Sequence, residues 1–292
     1  MKKFLYWSLA IIITLGAAYY QRKTGPTYPK KIRVEANGRS YDLRLVRSLG
    51  LNERPEVRLA ISDTTVRARL HFRHFPTNEE YTASDFSYKE YPVHSALMKK
   101  MTGSDIEKGL YAEVPKQPAA GKLEYWFEVT DSKGTSPYMK ETPVVIRFKG
   151  DVPALILVPH ILSMFLAMLF STLAGLMTIG VFKSYRKYAT WTLVLLIIGG
   201  VILGPVVQHY AFGKFWTGVP FGWDLTDNKT LIALLFWILA VYLNRKAERP
   251  VYVAIAAIAL IIVFSIPHSL FGSQFNYTTG HVTQGIILPL LH

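Results

Sequence analysis

Hydrophobic positions follow two regimes along this chain. Between Lys31 and Phe148 they alternate with polar ones in short runs, whereas elsewhere they continue unbroken for the length of a helix. Alternation predicts half-buried strands, and long unbroken runs predict membrane spans. The strands are Lys31–Ala36 and Tyr41–Arg47 on either side of the turn Asn37-Gly38, then Glu56–Ile61, Val66–Phe75, Leu110–Val114, Leu123–Val129 and Pro143–Phe148. About seven short strands with Pro, Gly, Asn and Asp turns indicate an antiparallel sandwich. The unbroken runs are Phe4–Tyr20, Val152–Phe182, Tyr188–Gly213, about Thr230–Asn244, and Pro250–Pro267. Ile286–Leu291 is too short to span and reads as a re-entrant or interfacial segment. The expected fold class is an α+β multidomain membrane protein. It has an N-terminal transmembrane anchor over residues 1–24 and an extracytoplasmic antiparallel β-sandwich over 25–150. Residues 151–292 form a C-terminal four-helix transmembrane bundle carrying an external aromatic loop at 209–229.

Charge sharpens this division. The chain is 50% hydrophobic and 18% charged, and 17 of its 20 acidic residues lie between Gln21 and Asp151. From Pro250 to His292 there is no Asp, Glu, Lys or Arg. The net charge of +13 does not point to nucleic acid, because much of the excess sits in short loops between apolar runs. Lys2 and Lys3 with segments 183–187 and 245–249 hold eight basic residues against the single Glu248. Basic loops mark the cytoplasmic side. The expected location is therefore the cytoplasmic (inner) membrane, multi-pass, with the amino terminus inside. Residues 21–151, loop 209–229 and tail 268–292 then lie outside. Membrane lipid is the first expected partner. Residues 4–20 read as a retained anchor, with a cleaved signal peptide as the rival because Gly16-Ala17-Ala18 offers small residues. With no cysteine, disulfides, thiolate catalysis, iron–sulfur ligation and covalent haem attachment are excluded.

Candidate chemistry gathers at one face. His71 and His74 are three apart on a strand, point to opposite faces and are poorly placed to share a metal; His94 stands alone. The segment from His209 to Ile232 is too aromatic for a simple connector, with Tyr210, Phe212, Phe215, Trp216, Phe221 and Trp223 in close succession. Asp224 and Asp227 precede the next span, where carboxylates cap a helix start. The aromatics also suit an interfacial belt. His160, His209, His268 and His281 all fall on the outer side of the topology drawn from Lys and Arg alone. Neutral imidazoles from two helices can hold a haem or another metal centre. No G-x-S-x-G or H-E-x-x-H signature occurs, so an enzyme, and a hydrolase above all, is the less favoured class.

At these residues the layout resembles the haem-handling membrane proteins of cytochrome c assembly that carry a tryptophan-rich loop ending in Trp-Asp. Phe221-Gly222-Trp223-Asp224 is similar to the aromatic-x-Trp-Asp ending, and Trp216-Thr217-Gly218 stands near the loop's start. Residues 30–150 look like an immunoglobulin or fibronectin type III module. The resemblance implies non-covalent haem b, stacked on Phe215, Trp216, Phe221 and Trp223 with Asp224 at the loop's end. Two of His160, His209 and His268 would serve as metal ligands, and Lys214 would pair with a propionate. Only two Trp, Pro220 inside the loop, no sixth span and the added sandwich depart from the family plan. Two other readings stand beside it. One is a non-enzymatic membrane subunit whose sandwich binds an extracytoplasmic or membrane protein partner. The other is a quinol- or metal-using redox subunit with the same histidines.

Overall fold

The computed structural model describes residues 2–92, 105–267 and 272–283. It separates into two compact units. One comprises Met1–Pro26, Gly150–Gln274 and His281–His292, and the other Thr27–Lys149 with Phe275–Gly280. Residue 150 therefore does not close the second unit, since a segment from far along the chain completes it. Tyr277 carries that closure, because its hydroxyl donates to the Lys122 carbonyl at 2.8 Å and accepts from the Lys122 N–H at 2.9 Å.

The β-rich unit holds β1 (Lys30–Ala36), β2 (Arg39–Leu45), β3 (Ser48–Gly50), β4 (Glu56–Leu59), β5 (Arg67–His74) and β6 (Thr82–Asp85). It continues with β7 (Ser87–Pro92), β8 (Ile106–Glu113), β9 (Lys122–Asp131), β10 (Gly134–Tyr138) and β11 (Val144–Lys149). Strands β1 and β2 form a hairpin in register Val34↔Tyr41, and its turn residues Asn37 and Gly38 both have positive φ, 48° and 73°. Only residues tolerant of the left-handed region make that turn cheaply. The largest sheet runs β3-β11-β9-β5-β6 with β10 also on β9, and a second sheet runs β4-β8-β7. All pairings are antiparallel except β11 with β3. Alternate residues Leu123, Tyr125, Phe127 and Val129 of β9 enter one apolar core with Leu70 and Ile146. Strands β3, β6, β7 and β10 escape the hydrophobic pattern. No residue of β6, β7 or β10 is buried, so hydrogen-bonded ladders hold them rather than apolar side chains.

His71 and His74 have separate partners in this unit. His71 stacks on Trp126, its cross-strand neighbour, with ring centroids 3.9 Å apart. His74 Nδ1 lies 2.8 Å from Glu79.

The helical unit contains α1 (Lys2–Thr24), α2 (Ala154–Ile179), α3 (Tyr185–Phe212), α4 (Leu225–Leu243) and α5 (Pro250–Ser265). The first four are long and apolar enough to cross a membrane, and α5 is apolar but shorter. Their burial inverts the usual soluble pattern. Large apolar side chains such as Leu155, Ile202 and Ile258 face outward, while Ser171, Thr192, Asp227, Lys229 and Asn244 are buried. The sequence sets α1 apart as an anchor, yet it packs within this unit. Trp7 meets Phe170 and Tyr188 edge-on, and Gln21 donates to the Ile266 carbonyl at 3.3 Å. A Cβ on Gly175 would come within 2.7 Å of the Ala257 Cβ, so small residues set how closely α2 and α5 approach.

Candidate functional site

Inside α3 the backbone changes period, with residues Ile197–Leu203 forming a π-helical segment. Two local causes coincide. Gly199 and Gly200 weaken the α-helix, and Pro205 lacks the N–H that an α-helix would use. The glycines also let neighbouring helices come close. A Cβ on Gly199 would meet Ser163 Cβ at 2.8 Å, and one on Gly200 would meet Thr230 Cγ2 at 2.8 Å. The Gly199 carbonyl, which takes the Gly204 N–H in the wider turn, also lies 2.9 Å from His160 Nδ1.

Beyond α3, residues 213–224 fold back over the start of α4 and are held there by the first turn of that helix. Asp224 is the N-cap, accepting from the Thr226 N–H at 2.8 Å, and its backbone N–H donates to the Thr217 carbonyl. Asp227 does not cap the helix, contrary to its position near the start. Its Oδ2 instead accepts from the backbone N–H groups of Thr217 at 2.6 Å and Gly218 at 3.0 Å, and from the Thr217 hydroxyl at 3.2 Å. Asn228 Oδ1 takes the Val219 N–H at 2.7 Å. Gly218 is required at this clamp, because a Cβ there would sit 2.6 Å from Asp227 Cβ. Lys229, also buried, donates to the Ile266 carbonyl at 2.7 Å.

A cavity of about 130 Å³ lies under this arrangement, lined by His160, Gln208, Asp224, Asp227, Thr230 and Ser273 among others. Met164, Val207 and Phe212 supply its apolar wall. Polar, ionisable residues turned into an apolar helix unit are costly and mark function more often than structure.

The sequence-derived site residues separate. His160 and Asp224 line the cavity. His209 does not: it is exposed, and its ring stacks on Phe215 with centroids 4.1 Å apart. Trp216 spends its indole N–H on the Val219 carbonyl at 3.1 Å, inside the loop. Phe221 and Trp223 are 79% and 74% exposed, and Lys214 is exposed too. His268 lies outside the described residues, as do His94 and segment 286–291; His281 is exposed at the strand His281–Thr283.

The cavity that His160 and Asp224 line is too small to enclose a haem b. A buried cavity of about 150 Å³ accommodates a single benzene ring, and pockets for drug-sized ligands run to about 300–1,000 Å³. The described cavity has the volume of one ring rather than of a porphyrin. Among the described residues no group of three or more His, Asp or Glu is placed to hold a metal ion.

Gln208, Thr230 and Ser273 were not legible as site residues, because each is an ordinary polar residue until the helices assemble. The Gly199-Gly200 pair followed by Pro205, and the run Asp224-x-x-Asp227-Asn228-Lys229, are the signals in the sequence that could have led there. Comparison of the chain with family models, with curated proteins and with solved structures returned no match.

Proposed function

We propose that this chain is a multi-pass protein of the cytoplasmic membrane with its amino terminus inside and residues 21–151 outside. On this reading the β-rich unit is an external sandwich and the helices form a bundle that binds a small, ring-sized polar ligand without catalysing its conversion. The membrane assignment rests on four helices of spanning length and on the bias of basic residues to three segments. The single observation that carries the ligand reading is the cavity. His160 from α2, Gln208 from α3 and Asp224 and Asp227 at the start of α4 line one space of ring size. Such convergence of a few polar groups in an otherwise apolar wall is how small-molecule sites are built.

Reporter fusions after Lys149 and after Arg249 test the topology, with the first expected outside and the second in the cytoplasm. Detergent-purified protein tests the ligand reading. Single-ring compounds such as phenol are expected to raise the melting temperature, by about 2.7 kcal/mol of added stability at one hundred times Kd. A Soret band in the same preparation would favour the haem reading instead, with the exposed ring surface of Phe215, Phe221 and Trp223 as its platform.

A further inference from the structure

We infer that the ligand class is a dihydroxybenzene of the hydroquinone type, bound through its two hydroxyl donors; this rests on the ring-sized cavity proposed above. The hydrogen bonds around the cavity decide the chemistry. A carbonyl oxygen only accepts, so the 2.9 Å contact of His160 Nδ1 with the Gly199 carbonyl puts the ring proton on Nδ1. In the neutral ring Nε2 is then an acceptor. On the side of α4, Asp224 and Asp227 contribute carboxylates, which are acceptors by nature.

The hydroxyl hydrogens of Thr230 and Ser273 are directed elsewhere. Thr230 donates to the Thr226 carbonyl at 2.9 Å, and Ser273 donates to Asp224 at 3.4 Å. Gln208 gives an amide N–H to Thr217 at 2.7 Å. The lining is therefore rich in acceptors contributed by two different helices, with Met164, Val207 and Phe212 offering the apolar contact that a ring requires. A ligand that fits must bring donors at separated positions on a flat apolar body. A hydroquinone does so, and the corresponding quinone, which has acceptors only, does not. An acceptor set of this kind also suits a cation, but among the described residues no metal-holding group of three or more His, Asp or Glu exists.

Calorimetric titration of the full chain in nanodiscs, under reducing conditions, tests this with four probes: hydroquinone, phenol, p-benzoquinone and p-xylene. Hydroquinone should bind tightest, and p-xylene, which replaces both hydroxyls by methyls of similar size, should bind roughly tenfold weaker or worse, as loss of hydrogen bonds to buried acceptors requires. Benzoquinone should fall with p-xylene. His160→Phe should reduce hydroquinone affinity by about the same factor while leaving the helical circular dichroism unchanged. Equal affinity for hydroquinone and p-xylene would overturn the donor assignment while keeping a ring-sized site. If none of the four binds, the ring-sized ligand reading itself fails. The probe series uses the unaltered protein, so the result does not depend on the variant folding.

Discussion

Helix α4 carries a buried polar cluster at each end, and the two differ in what they border. At its C-terminal end Asn244, 3% exposed, uses its whole side chain. Its Oδ1 accepts from the Tyr185 hydroxyl and the Arg249 N–H, both at 2.8 Å, and its Nδ2 donates to the Ala240 and Arg249 carbonyls at 2.9 Å. A side-chain amide has two donor hydrogens and two acceptor lone pairs, so nothing is left over. Arg186 closes the same corner through the carbonyls of Asn244 and Arg245. At the N-terminal end the loop clamp is likewise hydrogen-bonded, but Asp224 and Asp227 share a cavity with His160 and Gln208. Burial of polar groups in an apolar helix unit thus has two outcomes here. A cluster that satisfies itself is architecture, and one that borders a space of ligand size is a candidate site.

The comparison breaks most visibly at Asn244. Asn244→Leu should lower stability by about 3 kcal/mol, since several buried partners lose their bonds at once. Thermal melts in detergent should show this while hydroquinone affinity at the other end stays unchanged. A simultaneous loss of both would show that the two ends are not independent. Asp227→Ala should act the other way round. About 2 kcal/mol of local stability is lost as three donors on one oxygen go unpaired, so limited proteolysis should cut within residues 213–223. The global melt should move little, and ligand binding should disappear.

A smaller effect is expected from Gly200→Ala. The new methyl meets Thr230 Cγ2, costing about 1 kcal/mol by overpacking. Adding Thr230→Ser should restore most of the melting temperature, because serine lacks the colliding carbon. Failure of that rescue would mean that the π-helical segment, not the steric contact, demands glycine.

A further effect lies in the β-rich unit and serves as a control for both ends. Burial, and then the Arg147 charge, push the Lys122 amine down to about 8 from its ordinary 10.5. Between those values the unfolded chain holds a proton that the folded chain has released, so stability should rise with pH across this window. Chemical denaturation at pH 7 and pH 9.5 should show the rise, and Lys122→Met should flatten it. Tyr277, pushed up to about 12 by burial, works in the opposite direction only above pH 10, outside that interval.

Much of this was readable in advance for physical reasons. Asn37-Gly38 specifies its turn because few residues accept positive φ twice in succession. Helices long and apolar enough to span a membrane are legible because the unbroken apolar run needed for that length is a local sequence property. The edge strands β6 and β7 were invisible because ladder bonds depend on a partner strand and not on side-chain pattern. The topology drawn from Lys and Arg grouped His160 with His209 on one face, yet they part, since one lines a cavity and the other stacks on Phe215 in the exposed loop.

By itself the sequence determined the division between a strand region and apolar helices, the hairpin turn, and the aromatic character of the loop from His209 to Thr230. These are properties of local pattern, read over a few residues at a time. Only the tertiary structure decided that Asp227 clamps the loop rather than capping its helix, that Tyr277 completes the β-rich unit, and that His160 lines one cavity with Gln208 and Asp227. Each of those depends on which distant backbone groups are left unpaired when the elements pack, and no local pattern carries that information.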